Sequence, residues 1–526
     1  MTLSRRGLLR LFTVIPAGLQ AAPALSDRRY AVAHWVRDLP SVFAPVSHGG
    51  PHWVTTSFLF DSLVWKDQDG IMPLLASSWE SSRDRRQWSF RLRSGIQWHD
   101  GKALTSRDVA FTLRYLAQHP MPVWSWEATR LLESIETPDE QRVRITMKAP
   151  FPDFLDVVAG ATLILPQHIW RHIADPMKYL DPPAFTGSGP YRHRRTVRGE
   201  YNLLEANHAY FLGNPVVENL VFKAVNNPAL ALRSGEVDAA SITSPLAASQ
   251  FRNDARFIVG RGPFSYYMTK LIFNVTRRPF DNKAVRQAVA YALNKEEIVR
   301  QALEGEGTPG SSGLLHPDSP WFARGLPRYG PNPTRARELL SQAGFSRRGS
   351  DGIRLSASGV RLSFTLLQRA DSPELGRQAE LIREQLAAVG IGLTIQAISI
   401  GPLENLISKG EFDLALDGHG GTNNLQVVAT HPDFPAQLYR NPALDDLYRR
   451  FTTVTDEAGR RELAARIQGI IAEDAPSIAL THARELVVFR RDKAVRWFWT
   501  KGGLGGGAPL WWNKLALVPQ QGVRRK

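Results

Sequence analysis

Between residues 88 and 93 the large apolar side chains Trp88, Phe90 and Leu92 alternate with Ser89, Arg91 and Arg93. That is the period-two pattern of a half-buried strand. Asp100-Gly101 supplies a turn, and Thr105 with Asp108 three residues on makes a capping-box pattern. Val109, Leu113 and Leu116 then form the apolar stripe of a helix. The segment 96–111, IQWHDGKALTSRDVAF, gathers His99, Asp100, Lys102 and Asp108 in the manner of a proton-transfer site. Turn chemistry accounts for Asp100 and helix-end chemistry for Asp108, so neither acid is left over for catalysis.

The same alternation of periods continues along the chain. Apolar residues at helical spacing run through 284–299 behind the cap candidates Asp281 and Asn282. Asn332, Pro333 and Gly344 mark a helix start and stop, and 372–390 reads as a helix ended by Gly390. Strand patterns follow at 391–398 and 412–418, and a further helix covers about 455–472. Strands alternating with helices predict an α/β protein whose sheets are covered by helices. No internal repeat is visible.

The first 26 residues break this pattern. SRRGLLR (4–10) precedes an apolar stretch ending in small residues, interrupted by Pro16, Gly18 and Gln20. It is too short to span a bilayer, which takes about 20 apolar residues, and reads as a cleaved export leader. Arg5-Arg6 resembles a twin-arginine signal; a general secretory leader carrying two arginines is the alternative. The chain has no cysteine, which excludes disulfides, thiolate metal sites and a lipid-anchored cysteine. A soluble periplasmic protein is expected.

At 526 residues, with 43% hydrophobic and 22% charged side chains, the chain has room for two or three domains and the composition of a folded one. The net charge of +15 would suit anionic partners, but the arginines are scattered and form no basic stripe, so nucleic-acid binding is not expected. Catalytic motifs fail on context. GEGTPG (305–310) follows a helix instead of a strand, with Pro309 where a phosphate-binding helix should open. There is no P-loop, H-E-x-x-H or G-x-S-x-G. The 13 histidines show no metal-ligand pair on a predicted helix. Trp497–Trp499 and Trp511-Trp512 would line a pocket or pack a core. Neither an enzyme nor a cofactor or metal is expected.

Five pieces occur in order: IMPLLASSWE, WSFRLRSGIQWHDGKALTSRDVAFTLRYL, GSGPYR, FNVTRRPFDNKAVRQAVAYALNKEEIV and IREQLAAVGIGLTIQAIS. Together they resemble the family 5 extracellular solute-binding proteins of ABC importers, the dipeptide, oligopeptide and nickel-binding group, over nearly the whole mature chain. The resemblance implies a two-lobed hinged periplasmic binding protein fold of class II, cluster C type, with an extra subdomain inserted in lobe I. Lobe I would comprise 27–259, with the insert at about 56–186, and return at 487–526. Lobe II would comprise 260–486, and the chain would cross between lobes near 261–269 and 483–488. The implied partners are a small-molecule or peptide-like ligand and a membrane permease, and the protein is expected to be a monomer.

The resemblance also places Arg369 on the arginine that grips a peptide carboxylate, a task suited to the guanidinium fork. Farther on, where dipeptide binders carry a tryptophan and then an aspartate that pairs with the ligand's ammonium, this chain has His419 and Thr422. Loss of that counter-charge would forfeit roughly 2–5 kcal/mol, with Asp417 a weak substitute. A carboxylate-bearing ligand that lacks a simple α-ammonium, or carries it elsewhere, fits better: a modified peptide, an opine-like conjugate or a metal chelate; a non-peptide solute, an oligosaccharide included, is the alternative. His419, Asn423 and Asn424 would offer polar contacts, and Trp35 and Tyr267 are candidate pocket walls. A secreted hydrolase is the competing reading, without a constellation to support it.

Overall fold

A computed structural model of the chain describes residues 29–34, 50–119, 126–176, 178–242, 244–419, 425, 438–493, 495–500 and 511–519. The leader at 1–26 and four candidate site residues, Trp35, Thr422, Asn423 and Asn424, lie outside the described residues.

One eleven-stranded sheet runs through the molecule. Its order is Gly392–Ile398, Ser363–Arg369, Leu414–His419, Phe257–Phe273, Ser477–Arg490, Ala239–Ser241, Arg29–His34, Asn219–Ala224, Tyr201–Ala206 and Tyr191–Val197, with Gly307–Pro309 paired to Ser477–Arg490. Two strands are far longer than the rest: Phe257–Phe273 with 17 residues and Ser477–Arg490 with 14. They pair antiparallel along most of their length. The far half of Phe257–Phe273 also pairs with Leu414–His419, while the far half of Ser477–Arg490 pairs with Ala239–Ser241. The two wings of the sheet are thus joined through one long pair.

Helices cover each wing and leave separate apolar cores. Leu271, Phe273, Leu366 and Leu416 pack with Val289, Ile382 and Leu386 of the flanking helices on one wing. Tyr30, Phe222, Trp497 and Trp511 anchor the other. The helix ends are built as their sequences suggest. Asn332 accepts from Arg335 N–H and Ser372 from Leu375 N–H, in each case with proline at the start of the helix. The apolar run at 284–299 departs from the single helix that its spacing predicts. It forms two helices, Lys283–Ala292 and Lys295–Ala302, because Asn294 caps the second by accepting from Glu297 N–H.

A separate four-stranded antiparallel sheet, in the order Ala76–Ser81, Gln87–Leu92, Arg142–Met147, Leu132–Asp139, has its own core. Trp88, Phe90 and Leu92 are buried as the alternation predicts, and Trp88 stacks on Phe154 with ring centroids 5.2 Å apart. Helix Ser106–Gln118 lays Val109 and Leu113 on the same core.

This frame settles the role of the segment at 96–111. Asp108 accepts from Thr105 N–H at 2.8 Å and from Gln167 N–H at 2.9 Å. Asp100 accepts from Lys102 N–H and meets His168 Nε2 at 2.7 Å. His99 Nδ1 accepts from Gly187 N–H, which leaves the proton on Nε2 to be donated to Gly189 O at 3.0 Å. Burial pushes the His99 imidazole down to about 4. The segment is therefore clamped by a neutral histidine to the GSGPYR turn and by two structural acids to Gln167 and His168. That turn needs its glycines, since a Cβ on Gly187 would lie 1.8 Å from Leu59 O and one on Gly189 2.4 Å from Phe58 O.

Candidate ligand-binding site

The sheet face that carries the site changes character along its strands. Ile272, Ala415 and Leu367 lie side by side on three neighbouring strands and are buried under Leu403 and Ile407 of helix Ile400–Lys409. Two residues farther along these strands, period two brings Lys270, Asp417 and Arg369 onto the same face at the same level. Lys270 is the cross-strand partner of Asp417, and Arg369 closes Ser363–Arg369, whose register aligns Leu367 with Ala415. The result is a row of cation, anion and cation at the carboxyl ends of two parallel strands, where open α/β sheets place their ligands.

Burial works against the charge of two members of the row. The Lys270 residue is 3% exposed, and burial pushes its ammonium down to about 7 against the pull of Asp417. Burial likewise pushes the Asp417 carboxyl up, opposed by Gly418 N–H and by the charges of Arg369 and Lys270. Arg369 donates through Nε and Nη2 to the two oxygens of Asp371, both at 2.9 Å. This bidentate pair holds Asp371 below the usual carboxylate range.

The other wing contributes a wall beside the long pair. Ser241, at the end of its strand, donates to Glu485 Oε1 at 2.8 Å and accepts from Trp511 Nε1 at 2.8 Å. Trp499 Nε1 reaches Glu485 Oε2 at 3.4 Å. Burial raises the Glu485 carboxyl to about 7, opposed by these indole and hydroxyl donors. The Trp499 indole lies against Gly260 and Gly262, where a Cβ on Gly262 would come within 2.5 Å of Nε1. Arg261, Arg484 and Arg252 converge on Glu306. His482 is fully buried, and neither of its ring nitrogens has a hydrogen-bond partner. Its ring is T-shaped to His316 at 4.9 Å, and burial drives it down to about 3, so it is neutral. Among the described residues no group of three or more His, Asp or Glu could hold a metal ion.

Of the site residues read from sequence, the structure brings Arg369 and Asp417 together. His419 ends its strand opposite Met268, and Tyr267 lies within Phe257–Phe273; the side chains of both fall outside what is described. Lys270 and Glu485 were not anticipated. The signal for Lys270 was present, because a lysine between Met268 and Ile272 on an otherwise apolar strand face needs a reason.

The family model for bacterial extracellular solute-binding proteins, family 5 (middle), matches residues 70–432. The chain belongs to that family. Among its relatives is a putative ABC transporter peptide-binding protein of Brucella ovis, 30% identical over 374 residues covering 69% of this chain and 67% of the relative. The oligopeptide-binding protein AppA of Bacillus subtilis is 27% identical over 417 residues, 74% of each chain. Among solved structures, NikZ from Campylobacter jejuni in complex with Ni(L-His) superimposes with a TM-score of 0.78 at 22% identity, over 89% of this chain and 95% of that one. The fold is therefore the two-lobed one of this family's binding proteins.

Proposed function

We propose that the protein is the solute receptor of an ABC importer: an exported monomer, not an enzyme, that closes two lobes over a small carboxylate-bearing solute and presents the closed form to a membrane permease. The observation that carries this reading is the row Arg369, Asp417, Lys270, in which Arg369 and Asp417 stand near the ends of two parallel strands and Lys270 on the long pair itself. Pairing supports the lobe limits of 27–259, 260–486 and 487–526, because neighbours change within Phe257–Phe273, and the separate sheet at 76–147 falls within the insert of about 56–186. The relatives support transport, and nothing in them favours the hydrolase reading.

Arg369 is the carboxylate anchor in this reading. Asp371 occupies Nε and one Nη2 proton, so an incoming carboxylate exchanges with Asp371 on the guanidinium fork. Asp417 is unsuited to receive a ligand ammonium, since it already answers to two cations. A free-amine dipeptide is accordingly a poor ligand, and an acid with its amine blocked, conjugated or metal-bound is a better one. Native mass spectrometry of the protein purified from its own periplasm, followed by denaturation, is expected to release such an acid unaltered. Arg369→Ala should weaken its binding about 30-fold or more while leaving the fold intact. Unchanged affinity removes Arg369 as the anchor, and turnover of the solute rejects the receptor.

A further inference from the structure

The anchor reading above explains Arg369 but gives Lys270, whose charge faces Asp417 across the strands, no part in holding the solute. We infer, resting on that reading, that the Lys270 ammonium is a second anion anchor, so that the solute is a dianion with two separated acidic groups and no free α-ammonium.

Three observations carry this. Lys270 stands on the same face and level as Arg369, with one strand between them, which sets the two cations about 10 Å apart at the backbone. Its side chain is buried, yet among the described residues the ammonium has neither a hydrogen-bond acceptor nor an ion pair within 4 Å. An interior ammonium in that condition is costly unless an anion comes to it. The third observation is Asp417 itself. Standing between the cations, it repels a single carboxylate that would bridge them, and favours two acidic groups, one over each flank. The row of Lys270, Asp417 and Arg369 carries one net positive charge, and Asp371 balances it only at the Arg369 end, away from Lys270. A ligand ammonium brought to the Lys270 end would meet a like charge in a site of low dielectric.

The probes are three dipeptide derivatives: N-succinyl-dialanine, N-acetyl-dialanine and unmodified dialanine. They share the carboxylate for Arg369 and differ at the other end as acid, neutral amide and ammonium. Isothermal titration of the full-length mature protein should show the succinyl compound binding about 30-fold or more tighter than the acetyl compound, with dialanine weakest. In Lys270→Met the gap between succinyl and acetyl compounds should collapse. Circular dichroism and melting confirm the fold of the variant, and Lys270→Gln repeats the test with a polar neutral side chain of similar length. A succinyl preference that survives in both variants overturns the inference, as does a wild-type protein that favours dialanine. Acetyl-dialanine binding that depends on Arg369, without a gain on succinylation, overturns the Lys270 anchor and leaves the receptor reading standing. Failure of all three to bind overturns both.

Discussion

Removing either partner of the buried pair Lys514–Asp61 should destabilise the wing of the sheet that contains Arg29–His34 and packs against residues 511–519, and the magnitude can be worked from the contacts. Both side chains are fully buried. Asp61 accepts from Lys514 Nζ at 2.5 Å, Ser188 Oγ at 3.0 Å and Tyr210 OH at 3.1 Å. Lys514 also donates to Phe60 O at 3.1 Å and lies 4.3 Å from the centroid of the Trp65 ring. Breaking such a pair from one side costs about 3–5 kcal/mol, because the survivor is an uncompensated interior charge. Lys514→Met belongs near 3 kcal/mol, since the Asp61 carboxylate keeps two hydroxyl donors. Asp61→Leu belongs near 5 kcal/mol, since it strands an ammonium with one carbonyl and one ring, and burial already pushes Lys514 down. The double variant leaves no charge and should cost less than the sum of the singles by about 2 kcal/mol or more. Urea unfolding followed by tryptophan fluorescence measures the three values. Amide exchange around 58–65 and 511–519 tells whether the loss is local, a check that a chain of this size requires because it need not unfold in two states. Additive singles, or single losses below about 1 kcal/mol, would refute the account of a pair that ties the returning C-terminal segment to residues near Asp61.

Two further expectations follow from the 96–111 clamp. Gly187→Ala sets a Cβ against the Leu59 carbonyl and should abolish soluble folded protein, whereas Gly376→Ala, in open space on helix Pro373–Ala387, should raise stability by about 0.5–1 kcal/mol; equal yields of the two would contradict the close approach. His99 titrates near 4 in the fold and at 6.5 when unfolded, so the unfolded chain binds the extra proton between those values. Its contribution is complete above pH 6.5 and is lost as pH falls toward 4, by up to about 3 kcal/mol. His99→Gln, which can keep both hydrogen bonds, should flatten that part of the stability curve measured by urea unfolding from pH 4 to 7, and an unchanged slope would show that His99 is not held neutral.

What could be read from sequence was what local chemistry decides. The alternation of Trp88, Phe90 and Leu92, the caps at Asn332 and Ser372 and the stop at Gly390 all depend on residues within a turn of one another. The break at Leu293-Asn294 escaped notice because the apolar spacing continues through it, although Asn294 with Glu297 three residues later carries its own capping signal. The charged row could not be read in the same way. Arg369 was found by resemblance, but its bond to Asp371 is a matter of rotamer, and its neighbours Asp417 and Lys270 arrive from distant strands whose register no local pattern specifies. The same limit applies to Glu485, whose partners Ser241, Trp499 and Trp511 come from three separate segments.

The long strand pair is also built for a change of angle between the two wings of the sheet. A ladder without defects would resist bending between the wings, because every residue holds its neighbour. The pairing of Phe257–Phe273 with Ser477–Arg490 instead shifts register between Arg261 and Phe264 and again between Phe264 and Met268. Such irregularities leave backbone groups unpaired and concentrate twist and bending, so a change of angle there breaks few hydrogen bonds. On one side of this weak stretch the Trp499 indole rests on Gly260 and Gly262; on the other stands the row of Lys270, Asp417 and Arg369. The salt bridges from Arg261 and Arg484 to Glu306 flank the same stretch. A solute that engages the charged row from one wing and the Glu485 wall from the other would favour the angle at which both are in reach, and binding would thereby select the closed arrangement of the lobes.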